Sequence, residues 1–240
     1  MQIHVFKTLT ELGDFAADRI INIIKAQEKP VIGLATGSSP VPVYQAWGKK
    51  AREQNLDMKA VTGFALDEYC GIETSHPESY HTVIARDAVA EIGLDPKKVF
   101  VPSGLGDVAQ NALEYDESIK ASGGIHLQIL GIGRNGHLGF NEPGSAFDSR
   151  THKVELLPET ISDNARFFDD IRQVPTSAIT QGLGTILEAG ELLIVASGVS
   201  KAPAVVAALN GPETIDVPAS VLRRHPNVIW CLDEEAAGLL

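Results

Sequence analysis

The sequence contains few cysteines, no long apolar run and a minority of basic residues. With only 2 cysteines, Cys70 and Cys231, among 240 residues, we expect no disulfide framework and a reducing compartment. No apolar run approaches the ~18–20 residues of a transmembrane helix. Residues 1–7 are typical of a strand rather than of a signal peptide. We therefore expect a soluble, cytoplasmic protein without a membrane partner.

The shortage of positive charge excludes a further class of partner. Asp and Glu number 31 against 20 Lys and Arg, for a formal net charge of −11 and a pI near 5.0. A broad nucleic-acid surface or a polybasic membrane patch needs clustered positive charge, so neither is expected. A small anion held by two or three local cations remains compatible with this composition.

Length and composition favour one globular domain. Hydrophobic residues make up 44% of the chain and charged residues 21%, which are ordinary proportions for a folded protein. A chain of 240 residues lies below the ~250–300 residues at which a single core stops growing. Residues 1–240 are therefore predicted to form a single domain.

Short β-branched apolar runs alternate with longer helical stretches along the chain. This pattern predicts an α/β fold, an open and mostly parallel sheet with helices on both faces. The predicted strands are 3–6, 30–35, 61–66, 99–101, 125–130, 191–196 and 227–232. The predicted helices are about 12–24 (after a Thr8 or Thr10 cap), 43–51, 80–92, 108–121, 176–188, 200–209 and 233–239. Within the irregular stretch 139–160, residues 143–160 are predicted to form a mobile lid, because long loops in compact domains are often functional.

Ligands of open parallel sheets bind beyond the carboxyl ends of the strands. After the predicted strand 30–35 come Thr36, Gly37, Ser38 and Ser39. Small residues let backbone N–H groups approach an anion, and the helix that follows presents its positive end. The alternative is an ordinary turn in which a Ser caps that helix. The loop lacks the Gly-Lys-Ser/Thr ending of a nucleotide P-loop, so a sugar phosphate fits better than a nucleoside triphosphate.

Two adjacent carboxylates, Asp67 and Glu68, follow the predicted strand 61–66. They are candidates for a general base, a metal ligand or the start of a helix. Because side chains alternate along an extended segment, we expect the two acids to face different environments, one as a base and one as a structural group. Cys70 beside them is either a reactive thiol or a packed cysteine, and we favour the packed cysteine.

The densest candidate segment is 131–144. Its three glycines at 131, 133 and 136 match the G-x-G-x-x-G pattern of dinucleotide binding, which needs a helix after the third glycine. The Asn-Glu-Pro-Gly that follows is a poor helix former, so no dinucleotide cofactor is expected. The alternative is a tight loop that presents Asn135, His137 and Glu142, in which an amide and a carboxylate accompany a histidine suited to acid/base chemistry.

Candidate cations follow later strands. Lys201 lies in the first turn of a predicted helix, where a positive charge opposes the helix dipole, so an anion contact is favoured. Arg166 is a second candidate, with a solvated helix face as the alternative. No metal site is predicted, because His76 and His81 lack the i, i+4 spacing of a helical zinc pair and no C-x-x-C occurs.

Several of these segments resemble the glucosamine-6-phosphate deaminase family in order and rough spacing. They are 66–69 (LDEY), 131–137 (GIGRNGH) and 140–143 (FNEP), with 36–40, 76–80, 166–168 and 200–202 in agreement. The resemblance covers about residues 1–232, and the FNEP ending is its most specific element. It implies a Rossmann-like fold and an enzyme that uses neither a metal nor an organic cofactor.

The resemblance also implies a reaction, in which glucosamine 6-phosphate and water give fructose 6-phosphate and ammonia. In that reaction His137 would assist opening of the pyranose ring, oriented by Glu142 and Asn135. Asp67 would move a proton from carbon 2 of the open sugar to carbon 1. The residues implied to hold the phosphate are Thr36, Gly37, Ser38, Ser39, Lys201 and either Arg166 or Arg172.

Three departures limit what the resemblance transfers. Many members carry Asp where this chain has Asn135, and an amide supplies no charge, so the family's pH optimum is not carried over. The usual Thr-Gly-Gly-Thr loop is here Thr-Gly-Ser-Ser at 36–39. The longer tail of the larger members, which are allosteric hexamers activated by N-acetylglucosamine 6-phosphate, is missing. We therefore expect no strong allosteric activation, and the sequence leaves monomer or homo-oligomer open.

Three alternative functions remain at the level of sequence. A 6-phosphogluconolactonase would use the histidine loop for hydrolysis and give Asp67 no enolisation role. A galactosamine-6-phosphate deaminase would differ in the epimer accepted at carbon 4. A non-catalytic sugar-phosphate sensor usually follows a basic helix-turn-helix, whereas this sequence opens on a predicted strand at Ile3, so an enzyme is expected.

Overall fold

A parallel sheet of seven strands forms the centre of the molecule, whose computed structural model describes residues 1–240. The ten strands are β1 (Gln2–Phe6), β2 (Val31–Leu34), β3 (Thr62–Ala65), β4 (Asp67–Tyr69), β5 (Val99–Phe100), β6 (Leu127–Leu130), β7 (His152–Glu155), β8 (Ser177–Thr180), β9 (Leu192–Ala196) and β10 (Val228–Asp233). The large sheet has the order β1-β10-β9-β6-β2-β3-β5 with every pair parallel. The predicted α/β fold class is confirmed.

Eight α-helices surround the sheets. They are α1 (Leu9–Ala26), α2 (Val41–Glu53), α3 (Tyr80–Ile84), α4 (Ala90–Ile92), α5 (Val108–Ala121), α6 (Pro158–Asn164), α7 (Leu183–Leu187) and α8 (Ala202–Asn210). A π-helical segment, Ala85–Val89, joins α3 to α4 without a break. Short 3-10 segments lie at Met58–Ala60, Pro96–Lys98, Ala165–Phe167, Ile171–Gln173, Val199–Lys201 and Pro218–Arg224. None of the helices combines the length and the apolar composition that a bilayer crossing requires.

Helix α1 illustrates how local sequence sets an element. Thr8 caps it, accepting from the N–H of Glu11 at 3.2 Å, while the Glu11 carboxylate accepts from the N–H of Thr8 at 3.2 Å. This reciprocal capping box fixes the first turn. The apolar face that includes Leu12 and Ile20 is buried against the sheet core, so of the two predicted caps Thr8 is the one used.

A second, antiparallel sheet of three strands in the order β4-β8-β7 was not predicted. In it Asp67 lies opposite Thr180, and Thr180 lies opposite His152. Its residues Tyr69 and Ala178 form a small apolar cluster with Ile72, Phe140 and Leu156. The sheet joins segments distant in sequence and places β4 beside the carboxyl ends of the large sheet.

Three local predictions were wrong. The predicted helix 176–188 is strand β8 followed by the short α7, because residues 177–180 pair with strands on both sides. The stretch 139–160 is not irregular throughout, since β7 lies inside it. The predicted helix 233–239 is absent: Asp233 ends β10 and residues 234–239 form turns, and the Asp233 carboxylate accepts from the N–H groups of Ala236 and Gly198. So few residues seldom sustain a helix without strong packing.

Candidate active site

A cavity of about 500 Å³ opens beyond the carboxyl ends of β2, β6 and β9 and beside the small sheet. Its position agrees with the rule for ligand binding in open parallel sheets. Of the predicted site residues, those that line it are Thr36, Gly37, Ser38, Ser39, Asp67, His137, Arg166 and Lys201. Asn135 and Glu142 do not reach this cavity and instead contact each other near His137.

The loop 36–39 crosses one end of the cavity. Gly37 has φ +91°, a left-handed conformation that glycine adopts without strain. None of the backbone N–H groups from Thr36 to Ser39 donates to a protein acceptor. The next helix, α2, has Pro40 at its N-cap and no side-chain cap, so the alternative of a capping serine is wrong. Free N–H groups beside a helix start form an arrangement suited to an anion.

Asp67 is a buried carboxylate that faces the cavity. Its residue is 5% exposed, and its side chain makes no hydrogen bond to the protein. Burial, together with the nearby charge of Glu68, raises the pKa of Asp67 to about 8. A carboxylate with such a pKa is a stronger base than an exposed one, as proton abstraction at a carbon atom requires.

Glu68 is buried on the opposite side of β4 and has a different environment. Its carboxylate accepts from Ser79 Oγ at 2.6 Å, from the N–H of Tyr69 at 2.8 Å and from the N–H of Tyr80 at 3.0 Å. Burial by itself would raise the pKa of Glu68, but these donors and His81 outweigh it and the pKa is lowered. The predicted separation of the two acids into different environments is confirmed.

Loop 131–137 presents the imidazole of His137. A Cβ on Gly133 would lie 2.2 Å from the His137 ring, so only glycine lets the loop approach so closely. No helix begins at Gly136; the next one along the chain is α6. The dinucleotide interpretation therefore lacks the helix that it requires.

His137, Asn135 and Glu142 form a chain of contacts. Asn135 Nδ2 donates to Glu142 Oε2 at 2.9 Å, and the N–H of His137 donates to Asn135 Oδ1 at 3.2 Å. His137 Nδ1 lies 3.6 Å from Glu142 Oε2 and has no hydrogen-bond partner. Burial opposes ionisation of Glu142, yet His137, Thr160 and Asn135 lower its pKa to about 2. The ionised carboxylate of Glu142 thus lies next to Nδ1 of the His137 imidazole.

Two cations at the cavity have no carboxylate partner. Lys201 and Arg166 form no salt bridge, and the Arg166 guanidinium lies 4.7 Å from the centre of the Phe167 ring. Burial lowers the pKa of Lys201, and the charges of Arg166 and Arg134 lower it further against the opposing effect of Asp163. Arg172 is instead paired with Asp170 outside the cavity. Of the two candidate arginines, Arg166 and not Arg172 therefore lies in the cavity with Lys201.

Sequence reasoning missed several residues that line the cavity. They are Glu78, Tyr80, Arg86, Asp87, Arg134, Thr160, Asp163, Asn164, Ser197 and Ser200. Most lie on α3 and the segment after it or on α6, both of which adjoin the unpredicted small sheet. The segment 76–80, which agrees with the family pattern, was the one sequence signal for this wall.

The packed interpretation of Cys70 agrees with its half-buried position and with a thiol pKa raised by burial. No three His, Cys, Asp or Glu side chains are placed to hold a metal ion together.

The fold and the cavity together indicate the class of protein. A parallel α/β sheet with a glycine–histidine loop, a buried acid and free cations at its carboxyl end is the framework of an α/β enzyme for small anionic substrates. The chain belongs to the family described as glucosamine-6-phosphate isomerases/6-phosphogluconolactonase, whose model matches residues 7–230.

Several named relatives and solved structures of that family are similar to this chain. A glucosamine-6-phosphate deaminase of Bifidobacterium longum is 47% identical over all of this chain and 92% of its own length. One of Clostridium perfringens is 42% identical over the whole of both chains. The structure of a monomeric glucosamine-6-phosphate deaminase is 39% identical, covers both chains fully and has a TM-score of 0.97. The 6-phosphogluconolactonase of Thermotoga maritima, 18% identical with a TM-score of 0.76 over 97% of this chain and 99% of its own, shares the fold.

Proposed function

We propose that the chain is a glucosamine-6-phosphate deaminase, converting glucosamine 6-phosphate and water into fructose 6-phosphate and ammonia. The observation that carries this proposal is the pairing of an unbonded, buried Asp67 with His137 in one cavity that also holds two unpaired cations. A base for a carbon-bound proton, a group for ring opening and an anion site are the three parts that the reaction needs.

The phosphate end of the substrate binds at the cationic end of the cavity. The free N–H groups of the loop 36–39 and the hydroxyls of Thr36, Ser38 and Ser39 donate to the phosphate oxygens. Arg166 and Lys201 supply charge-assisted hydrogen bonds. Because neither cation is neutralised by a carboxylate, phosphate binding breaks no existing ion pair.

His137 acts first, on the closed sugar. Its imidazole moves the proton between the ring oxygen and the anomeric hydroxyl, so that the pyranose opens to the aldehyde. Glu142 favours the required ring orientation through its charge 3.6 Å from Nδ1, and Asn135 holds Glu142 in place. These two residues position the imidazole without contacting the sugar.

Asp67 acts on the open sugar. Its carboxylate takes the proton from carbon 2, giving an enolamine, and returns that proton to carbon 1. Water then adds at carbon 2 and ammonia leaves, which yields the ketose. The protonated amino group of the bound substrate is an opposite charge near Asp67, and it favours the carboxylate form that this step requires.

The direct test measures both products. Purified protein is incubated with glucosamine 6-phosphate, and ammonia and fructose 6-phosphate are determined by separate coupled assays. We expect equimolar products from the unaltered protein and a loss of about 10³-fold or more in kcat for Asp67→Asn, because the amide cannot accept the carbon-bound proton.

Two comparisons make the result specific. Glu28→Gln, which removes an exposed carboxylate outside the cavity, is expected to retain the full rate. Galactosamine 6-phosphate and 6-phosphogluconolactone are assayed in parallel. Faster turnover of the lactone than of the amino sugar, or undiminished turnover by Asp67→Asn, would refute the proposal.

A further inference from the structure

Glu68 is a buried acid that the proposed mechanism does not use. Its side chain is 2% exposed and accepts hydrogen bonds from two sides of the structure. The Tyr69 N–H on its own strand donates to it at 2.8 Å. Ser79 Oγ at 2.6 Å and the N–H groups of Tyr80 at 3.0 Å and His81 at 3.3 Å donate from the start of α3. So many donors stabilise a charged carboxylate rather than a neutral acid.

The arrangement links the proposed base to one wall of the cavity. Glu68 follows Asp67 directly on β4, and the residues that it anchors begin the helix carrying Tyr80 into the cavity. The Tyr80 ring stacks on Phe140, with centroids 6.0 Å apart and planes at 9°, and Phe140 follows the histidine loop. A carboxylate at the positive end of a helix stabilises both partners. Glu68 therefore ties the base, Tyr80 and the start of α3 into one unit.

We propose that Glu68 is a positioning residue for Asp67, fixing β4 against the start of α3 and keeping a negative charge behind the base throughout the catalytic pH range. This inference rests on the proposed deaminase function. The fixed charge makes loss of the Asp67 proton less favourable in the empty cavity, so that Asp67 is a stronger base when the cationic substrate restores its ionisation.

Several other titratable groups face the two acids. They are Tyr69 and Cys70 at β4, Tyr80 and His81 at α3, and Tyr115 on α5. Burial raises the pKa of the three tyrosines, Tyr69 to about 12, and raises that of the Cys70 thiol. The tyrosines therefore stay neutral at the pH of the assay. His81 Nδ1 lies 3.0 Å from Glu68 Oε2, so one of the variants below removes this imidazole.

The test variant is Glu68→Gln. Its amide oxygen still accepts from the N–H groups of Tyr69 and Tyr80, and its NH₂ group can donate to Ser79 Oγ. The variant therefore loses the charge and the hydrogen bond from the His81 N–H but keeps the other contacts between β4 and α3. We expect the acidic limb of the kcat/KM pH profile to move to lower pH by about one unit. The plateau kcat falls because the base is weaker, and KM changes little.

Two matched variants separate charge from packing. Ser79→Ala removes one hydrogen bond to Glu68 but keeps the carboxylate, so the limb stays at its wild-type position. His81→Gln removes the neighbouring imidazole, and the limb persists if it belongs to Asp67. A limb that moves equally in Ser79→Ala, or that disappears in His81→Gln, would overturn the proposal.

A measurement without substrate keeps the two proposals distinguishable. The side-chain carboxyl of Asp67 is titrated by carbon-13 NMR in aspartate-labelled protein, with the signal assigned by its loss in Asp67→Asn. We expect its midpoint to fall in Glu68→Gln. An unchanged midpoint rejects the role of Glu68 even in an active enzyme, whereas a missing deaminase activity with a shifted midpoint rejects only the proposed function.

Discussion

Neighbouring residues of the same chemical type have opposite pKa shifts in this protein because their surroundings differ. Asp67 is buried without hydrogen bonds, so its pKa is raised to about 8, whereas Glu68 is surrounded by donors and its pKa is lowered. The alternation of side chains along a strand was enough to predict the separation. It did not show which acid would face the cavity, because that depends on the packing of β4 against β8 and α3.

The burial of Asp67 has a consequence for stability. Below pH 3.8 the acid is protonated in both states, and between pH 3.8 and about 8 the folded protein keeps a proton that the unfolded chain releases. Stability therefore falls as pH rises through this window, and the loss is complete above pH 8. We expect Asp67→Asn to be inactive yet more stable than the unaltered protein by about 2 to 5 kcal/mol at pH 8.5.

Urea unfolding at pH 4, 6 and 8.5 checks this expectation. The difference between Asp67→Asn and the unaltered protein should grow with pH, and Glu28→Gln serves as the charge-matched control. If Asp67→Asn were destabilised equally at every pH, this would show that burial of the ionised Asp67 carboxylate does not lower the stability of the folded protein.

At the scale of elements, the small sheet holds one part of the predicted lid in place and so limits which part can move. Strand β7 pairs with β8 in register from His152 to Glu155, so this part of the segment 143–160 is held by a sheet. Helix α6 and the following turn carry Thr160, Asp163 and Arg166 to the cavity. The N–H of Leu157, just before α6, donates to Glu142 Oε1 at 3.2 Å. The mobile part is therefore expected to begin after β7.

Hydrogen exchange with fructose 6-phosphate as the ligand tests this division. We expect the amides of residues 157–167 to exchange more slowly when the ligand is bound, because Arg166 in this segment then binds the phosphate and holds the segment against the cavity. Residues 152–155 should be protected with or without ligand, and α5 serves as the unaffected reference. Exchange in 157–167 that is slow without ligand and unchanged by it would contradict the existence of a lid.

At the scale of the whole molecule, the proposed function requires a protein of net charge −11 to attract a substrate that carries phosphate. The net charges of protein and phosphate repel each other at long range. Binding therefore depends on cations within about one Debye length of the phosphate, ~8 Å at physiological ionic strength. Lys201, Arg166 and Arg134 line the same cavity, and of these Arg134 is paired with Asp163 at 2.9 Å. The two unpaired cations and the free N–H groups of the loop 36–39 are the groups expected to supply this local attraction.

Removing one of these cations should therefore weaken binding more than chemistry. For Lys201→Met we expect KM for glucosamine 6-phosphate to rise about 10- to 100-fold, the loss of one charge-assisted hydrogen bond, with kcat within a few-fold of wild type. The control is Lys29→Met, an exposed lysine outside the cavity. Inhibition by inorganic phosphate should weaken in parallel, and an unchanged inhibition constant would place the phosphate elsewhere.

The sequence by itself determined the alternation of strands and helices, a threonine cap at the start of α1, and the residue types of the glycine–histidine loop and the phosphate loop. These features depend on near neighbours along the chain, through period, caps and backbone freedom. Only the tertiary structure decided that Asp67 lies opposite Thr180 in a second sheet and that Arg166 rather than Arg172 meets Lys201. Such pairings join residues far apart in sequence. They depend on how distant segments pack together in the core, and the local pattern of residues does not specify that packing.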